Sequence, residues 1–260
     1  MTLTPVHDPA KGVMLAAAFM SGSGSNVEAL IKYERNPENI FMDPGYKIAV
    51  IVTDCLPEEN SKAKIIGKKY GIDVIENPKS EFLHRHGVTK FGKDKALREA
   101  YDRRTLDLLL QEGYGNVEVA AFGGYMTLAS KLLVDRLLCI NVHPADLRIK
   151  GADGLPKYRG DDAVTDAINA GERELRSTTH ICVEKADMGP ILMVSAPIPV
   201  VPEVSPKEHQ SHLKEVGDWK IFPLTLAYIA RGTYTRDQAG TVHFYGRPKP
   251  DGVTYESFEL

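Results

Sequence analysis

Apolar runs alternate along this chain with segments whose apolar residues recur every three to four positions, a pattern that predicts strands and helices in turn. Val13–Met20 (VMLAAAFM) and Lys47–Thr53 (KIAVIVT) read as buried strands. Ser21–Asn26 (SGSGSN) follows the first of them as a glycine-rich turn, and the VEALIKYE after it has helical spacing. Ser61–Tyr70 predicts a helix stopped by Gly71, and Ile72–Ile75 a third, short strand. Lys95–Gln111 places Leu97, Tyr101, Leu106, Leu109 and Leu110 close to one helical face. Glu118–Phe122 and Leu138–Val142 are further strands, separated by the helix-like Leu128–Leu137.

Strands that alternate with helices make parallel βαβ units. The expected fold class is therefore α/β, a single doubly wound, mostly parallel sheet with ligands at the strand C-terminal ends. From Ser177 the pattern changes. STTHICVE and PILMVSAPIPV are strand-like runs separated by Lys185–Gly189, which predicts an antiparallel turn-back. Helices near Lys207–Glu215 and Trp219–Arg231 follow, then a strand at Val242–Tyr245. The expectation is one domain over residues 1–260, with a core from about 13 to 232 and a tail from about 233 to 260.

Composition narrows the class of partner. With 43% hydrophobic and 26% charged residues among 260, the chain is ordinary for a globular protein, and its net charge of -3 gives no broad attraction to nucleic acid. A small metabolite is the expected ligand. Cys55, Cys139 and Cys182 are odd in number and far apart, which argues against a disulfide framework or a structural zinc site and reads as buried free thiols. The N-terminus lacks the pattern of a signal peptide, and Val13–Met20 is too short to span a bilayer, so no membrane is expected and the setting is cytoplasmic.

Three motifs carry candidate chemistry. Ser23, Gly24, Ser25 and Asn26 lie where a strand gives way to a helix, a place where backbone N–H groups can cradle an anion. The same residues also suit a tight capped turn. Val27 stands at the third glycine position of a dinucleotide fingerprint, and no Gly-Lys-Ser/Thr follows, so this is neither that motif nor a P-loop. Asn141-Val142-His143-Pro144 ends a buried strand. Residues two apart on a strand point the same way, so Asn141 and His143 project together. An amide and an imidazole side by side can stabilise a developing oxyanion or relay a proton, though a histidine satisfied by turn backbone has the same appearance. His180 lies within a later strand, and Asp187 sits at the turn before Gly189-Pro190, where it could orient an imidazole or simply bond its own turn. His84 and His86 (HRH) lack a third ligand nearby and read as a solvated loop, so no metal is expected.

Together and in this order, these motifs resemble the folate-dependent formyltransferase family, which includes the glycinamide ribonucleotide enzymes of purine synthesis. The residues that carry the resemblance are SGSGSN at 21–26, REAYD at 98–102, GGYM at 123–126, NVHP at 141–144, LPKYRG at 155–160 and HICVEKADMGP at 180–190. The resemblance spans about Leu15 to Gly232. It implies that Asn141 and His143 stabilise the oxyanion, that Asp187 assists proton transfer and that His180 braces the site. It further implies that Ser23, Gly24, Ser25 and Asn26 hold a substrate phosphate with Arg98 as charge partner. Tyr125, Met126, Thr127 and Leu128, with Val142 beside them, would line the folate pocket, and Asp218 would bind the acceptor.

The implied co-substrate is 10-formyltetrahydrofolate, an activated donor that needs no metal. The implied acceptor is a phosphorylated amine, most directly glycinamide ribonucleotide, and a homodimer is compatible with the resemblance. Three features differ from the family pattern: an insertion at Asp146–Gly154, Thr127 where arginine is usual, and Gly217-Asp218-Trp219-Lys220 where a Glu-His pair is usual. A different amine acceptor, hydrolysis of the formyl donor, and a non-catalytic paralogue that keeps the fold are the alternative readings. Only about a dozen residues precede the first strand, which counts against the hydrolase, whose relatives carry an N-terminal regulatory domain.

Overall fold

A strand that is apolar at every position belongs inside a sheet covered on both faces. Met14–Met20 is such a strand, buried at all positions but Leu15. The computed structural model describes residues 2–36, 38 and 43–255. The elements run β1 (Thr4–Pro5), β2 (Met14–Met20), α1 (Ser25–Arg35), β3 (Tyr46–Thr53), α2 (Ala63–Tyr70), β4 (Asp73–Glu76), α3 (Lys79–Arg85), α4 (Lys95–Gln111) and β5 (Val119–Phe122). They continue with α5 (Lys131–Arg136), β6 (Leu138–His143), α6 (Ala163–Asn169), β7 (Glu174–Leu175), β8 (Thr178–Ile181), β9 (Ile191–Val194) and β10 (Ile198–Pro199). The last are α7 (Pro206–Leu213), α8 (Trp219–Ala230), β11 (Tyr234–Arg236), β12 (Val242–Phe244), β13 (Arg247–Pro248) and β14 (Val253–Thr254).

The large sheet has the strand order β14-β9-β8-β6-β5-β2-β3-β4. β2 pairs in parallel with β3 and β5, and β3 with β4. β8 and β9 pair antiparallel, as the turn-back at Lys185–Gly189 predicts. The fold is thus α/β with a mostly parallel sheet. The chain divides into two compact units, one of Val13–Arg35 and Tyr46–Ile140, the other of Met1–Gly12, Asn36–Gly45 and Asn141–Leu260.

In the first unit, α4 has the predicted span, its start capped by the Asp94 carboxylate accepting from the Leu97 amide at 2.9 Å. Its buried face differs from the apolar pattern. Leu110 is exposed, whereas Asp102 and Thr105 are buried. Each has a partner inside: Asp102 accepts from the Ser130 amide and Thr105 from the Asn77 side chain. The helix expected over Leu128–Leu137 begins only at Lys131, because Thr127 and Ser130 are bonded to buried carboxylates rather than to a first helical turn. His84 and His86 lie in and at the end of α3 rather than in a loop. His86 Nδ1 approaches the Phe82 carbonyl at 2.8 Å, and its ring packs on Phe82.

In the second unit, α7 runs into α8 through one π turn, Lys214–Asp218, where the sequence pattern shows a break. The turn brings Gly217 so close to β8 that an added Cβ would meet Ser177 Oγ at 2.8 Å. Beyond Gly232, β11, β12 and β13 form an antiparallel sheet with β1, and β14 pairs in parallel with β9. The inserted segment closes as a small hairpin, with Lys150 opposite Pro156 and the Lys157 amide bonded to the Ile149 carbonyl at 2.9 Å. Asp146 holds the Arg148 guanidinium through two bonds of 2.9 and 2.7 Å and its amide through a third of 3.0 Å, and Arg148 reaches Thr254 of β14 at 3.1 Å.

Candidate active site

At the end of β6 the alternation of the strand sends Asn141 and His143 to one face and the buried Val142 to the other. Any contact Val142 makes with a ligand on the Asn141 face is therefore through its backbone. His143 is buried, and its Nε2 lies 2.9 Å from the Tyr158 carbonyl. A carbonyl can only accept, so Nε2 carries the hydrogen and Nδ1 is the basic atom of the neutral ring. Nδ1 stands 3.6 Å from Asp187 Oδ1, and the same oxygen is 3.5 Å from His180 Nε2. These separations are long for direct hydrogen bonds. His180 Nδ1 faces the Ile181 carbonyl at 3.2 Å, which leaves Nε2 to accept from Asn141 Nδ2, also at 3.2 Å. One amide hydrogen of Asn141 is thereby fixed and the other is available to an oxygen.

Asp187 reaches this position with a left-handed backbone, φ 56°, uncommon outside glycine and best tolerated by Asp and Asn. Its second oxygen accepts from the Gly160 amide at 3.0 Å. Gly189 permits the turn, because a Cβ there would sit 1.6 Å from the Ile181 carbonyl oxygen. Burial alone would raise the Asp187 pKa. His180, His143 and the Gly160 N–H outweigh it and hold the carboxyl at about 2. Burial lowers the His143 pKa from its ordinary value, against the opposing pull of Asp187 and the Tyr158 carbonyl. The result is a neutral, basic imidazole beside an ionised carboxylate, with two acceptor atoms, His143 Nδ1 and Asp187 Oδ1, facing one another. Such a cluster attracts a hydrogen-bond donor or a proton.

Asp218, at the end of the π turn, is buried and accepts from Ser177 Oγ at 2.5 Å. Its charge also favours the protonated form of His143. Tyr158, Gly160 and Ser177 complete the site without a side-chain signal of their own in the sequence. Two of them act through backbone groups, which side-chain patterns do not reveal, although Tyr158 and Gly160 both lie in the LPKYRG motif.

The first unit holds the glycine-rich turn. Gly24 has φ 67°, and a Cβ there would meet Ile66 Cδ1 at 2.4 Å and Met20 Cε at 2.6 Å. Ser23 is exposed, Ser25 opens α1, and Asn26 is buried in its first turn. The arrangement points the first N–H groups of an eleven-residue helix out of a turn that only glycine can make. Arg98, on α4, donates to the Gly92 carbonyl at 3.1 Å, with its guanidinium 6.0 Å from the Phe91 ring centroid.

Between β5 and α5, Tyr125 packs edge-on against Phe19 at 5.2 Å, and Thr127 is buried. Met126 and Leu128 are 54% and 38% exposed, so two neighbouring apolar side chains face outward from this segment. Nearby, burial together with the Asp54 carboxylate pushes the Cys55 thiol up to about 12, which disfavours the thiolate. Among the described residues no cluster of His, Cys, Asp or Glu could hold a metal ion, and no helix is long and apolar enough to cross a membrane.

The family model described as formyl transferase matches residues 14–226. The chain belongs to the formyl transferase family. Among its relatives, this formyltransferase is 26% identical over 216 residues to the phosphoribosylglycinamide formyltransferase of Haemophilus influenzae, covering 83% of this chain and 87% of that one. It is 27% identical over 219 residues to the trifunctional purine biosynthetic protein adenosine-3 of Drosophila melanogaster, covering 84% of this chain but only 14% of that protein. Solved structures share the fold. The phosphoribosylglycinamide formyltransferase of Coxiella burnetii superposes with a TM-score of 0.70 at 20% identity, covering 94% of this chain and 99% of that chain. That of Anaplasma phagocytophilum gives 0.68 at 21% identity, with the same coverage. The matched span of the formyltransferase model includes both the glycine-rich turn and the Asn141, His143, His180 and Asp187 cluster.

Proposed function

We propose that this formyltransferase moves a formyl group from 10-formyltetrahydrofolate to the amine of glycinamide ribonucleotide, in purine biosynthesis. The observation that carries this reading is the cluster at the end of β6. There His143 is a buried neutral base with Nδ1 facing Asp187, and Asn141 is held by His180 with one N–H to spare. The acceptor amine supplies the hydrogen donors that His143 Nδ1 and Asp187 Oδ1 require. As its nitrogen attacks the formyl carbon, the oxygen gains negative charge and Asn141 donates to it. The new C–N bond forms and the bond to the folate N10 breaks. The proton lost by the amine passes by way of His143 Nδ1, with Asp187 balancing the imidazolium, and ends on N10.

The acceptor's phosphate is assigned to the glycine-rich turn, Ser23 to Asn26, at the start of α1, with Arg98 as its counter-charge. Asp218 is assigned to the acceptor side through its charge, since Ser177 already occupies one of its oxygens. The folate ring system, flat and partly apolar, suits Met126 and Leu128, which are exposed on either side of the buried Thr127. Both substrates are small molecules, a cytoplasmic setting suits them, and a homodimer is compatible with the reading.

The test follows tetrahydrofolate release from 10-formyltetrahydrofolate. Release that requires glycinamide ribonucleotide supports the proposal. Release without it would make the protein a hydrolase, and none under either condition would sink both readings.

A further inference from the structure

Asp54 lies at the end of β3 with its side chain fully buried. A carboxylate removed from water is costly unless donors surround it, and an apolar residue at that place would pack without the cost. Its Oδ2 accepts from Thr127 Oγ1 at 2.6 Å, and the Lys79 ammonium stands 3.8 Å away. Thr127 sits between the two outward-facing apolar side chains, Met126 and Leu128. The rest of that segment is pinned too: Ser21 Oγ accepts from the Met126 amide at 2.8 Å, and Asp102 accepts from the Ser130 amide at 2.6 Å. Residues 126 to 130 therefore adopt no helical turn. Their backbone is instead tied to side chains of α4 and the glycine-rich turn, and the Thr127 side chain to Asp54.

From this geometry we infer that Asp54 is a positioning residue for the folate donor, acting through Thr127 to hold Met126 and Leu128 in the outward arrangement that receives it. The inference rests on the folate reading above. Met126 and Leu128 are exposed on either side of the buried Thr127, so anchoring Thr127 inward holds its two neighbours outward. A hydrogen bond to a buried charge is stronger than a neutral one, and it fixes the rotamer of Thr127 as well as its depth. Lys79 balances the charge of Asp54 from the partly exposed side, so the anchor survives without a second buried cation.

The experiment is a calorimetric titration with 5-formyltetrahydrofolate, a stable analogue of the donor, against the full chain and its variants. Thr127→Val removes the hydroxyl and keeps the shape. It is expected to weaken binding roughly tenfold, while Thr127→Ser, which restores the hydroxyl, is expected to stay within about twofold of the unaltered protein. In the transfer assay, Thr127→Val should raise the donor KM by more than it changes the acceptor KM or kcat. Asp54→Asn keeps an acceptor oxygen but loses the charge, and is expected to weaken binding by about threefold. Adding Thr127→Val to Asp54→Asn should cost less than its effect alone, because both act through one bond. Unchanged binding by Thr127→Val, or effects of the two variants that simply multiply, would overturn the inference and leave the folate reading standing. No binding by the unaltered protein would overturn the folate reading itself, and this inference with it.

Discussion

The Nε2 hydrogen of His143 is committed to the carbonyl of Tyr158 at 2.9 Å, so only Nδ1 of that ring can take a proton. The base thus faces Asp187, and a backbone oxygen fifteen residues away selects the tautomer. His143→Ala removes both the base and its orientation. A loss of about 10²–10⁴ in kcat/KM is expected, with circular dichroism unchanged. Activity within threefold of the unaltered protein would take His143 out of the mechanism.

The titration of His143 has a definite sign. Its pKa in the folded state is lowered by burial, so the ring is neutral, and able to act as a base, at neutral pH. The rate should rise through a midpoint below 6.5, the ordinary value. Asp187 is the largest influence opposing burial, so Asp187→Asn should move that midpoint lower still. The proton resonances of the His143 ring, followed against pH, measure both. A midpoint that moves upward in Asp187→Asn would contradict the electrostatic arrangement described.

Asp187 should also contribute to stability. Its pKa of about 2 lies below the ordinary 3.8, so its contribution is fully present above pH 4 and is lost as the pH falls toward 2. The difference corresponds to about 2 kcal/mol as an upper value. Asn tolerates the left-handed backbone, so Asp187→Asn tests the charge without adding strain. Denaturant unfolding at pH 7 and pH 3 should show the variant less stable at pH 7, with the gap narrowing at pH 3. An equal gap at both would assign the loss to packing.

Gly24→Ala places a methyl group 2.4 Å from Ile66 and forces alanine into a positive φ. The side-chain ends of Ile66 and Met20 can give, so the cost of about 1–3 kcal/mol falls on the strained backbone of the turn. Because that turn presents the α1 amides, the acceptor KM should rise more than the donor KM. Steady-state kinetics with each substrate varied in turn separates the two, and a rise confined to the donor would move the phosphate elsewhere.

Arg148→Ala removes the link from the inserted hairpin to Thr254. Asp146 retains Arg176 at 3.9 Å, so the hairpin should persist while β14 loosens. Limited proteolysis is expected to release the C-terminal segment severalfold faster, and an unchanged cleavage rate would show that β14 is held by its pairing with β9 alone.

Much of this protein is written in its local pattern. The apolar runs of β2 and β3 read as buried strands, and the spacing of Lys95–Gln111 marks α4 to the residue. Asn141 and His143 share a face because strand geometry has a period of two, which makes their pairing readable before any fold is known. Other features depend on residues that meet only in three dimensions. The tautomer of His143 depends on Tyr158, the ionisation of Asp187 on Gly160 and two imidazoles, and the depth of Asp218 on Ser177. The buried faces of α4 and of the segment before α5 also departed from their apolar pattern. Asp102 and Asp54 are polar residues whose partners, Ser130 and Thr127, come from elsewhere in the chain. A hydrophobic pattern records which side chains avoid water. It does not record which buried polar atoms find one another, and in this protein those pairings set the chemistry of the site.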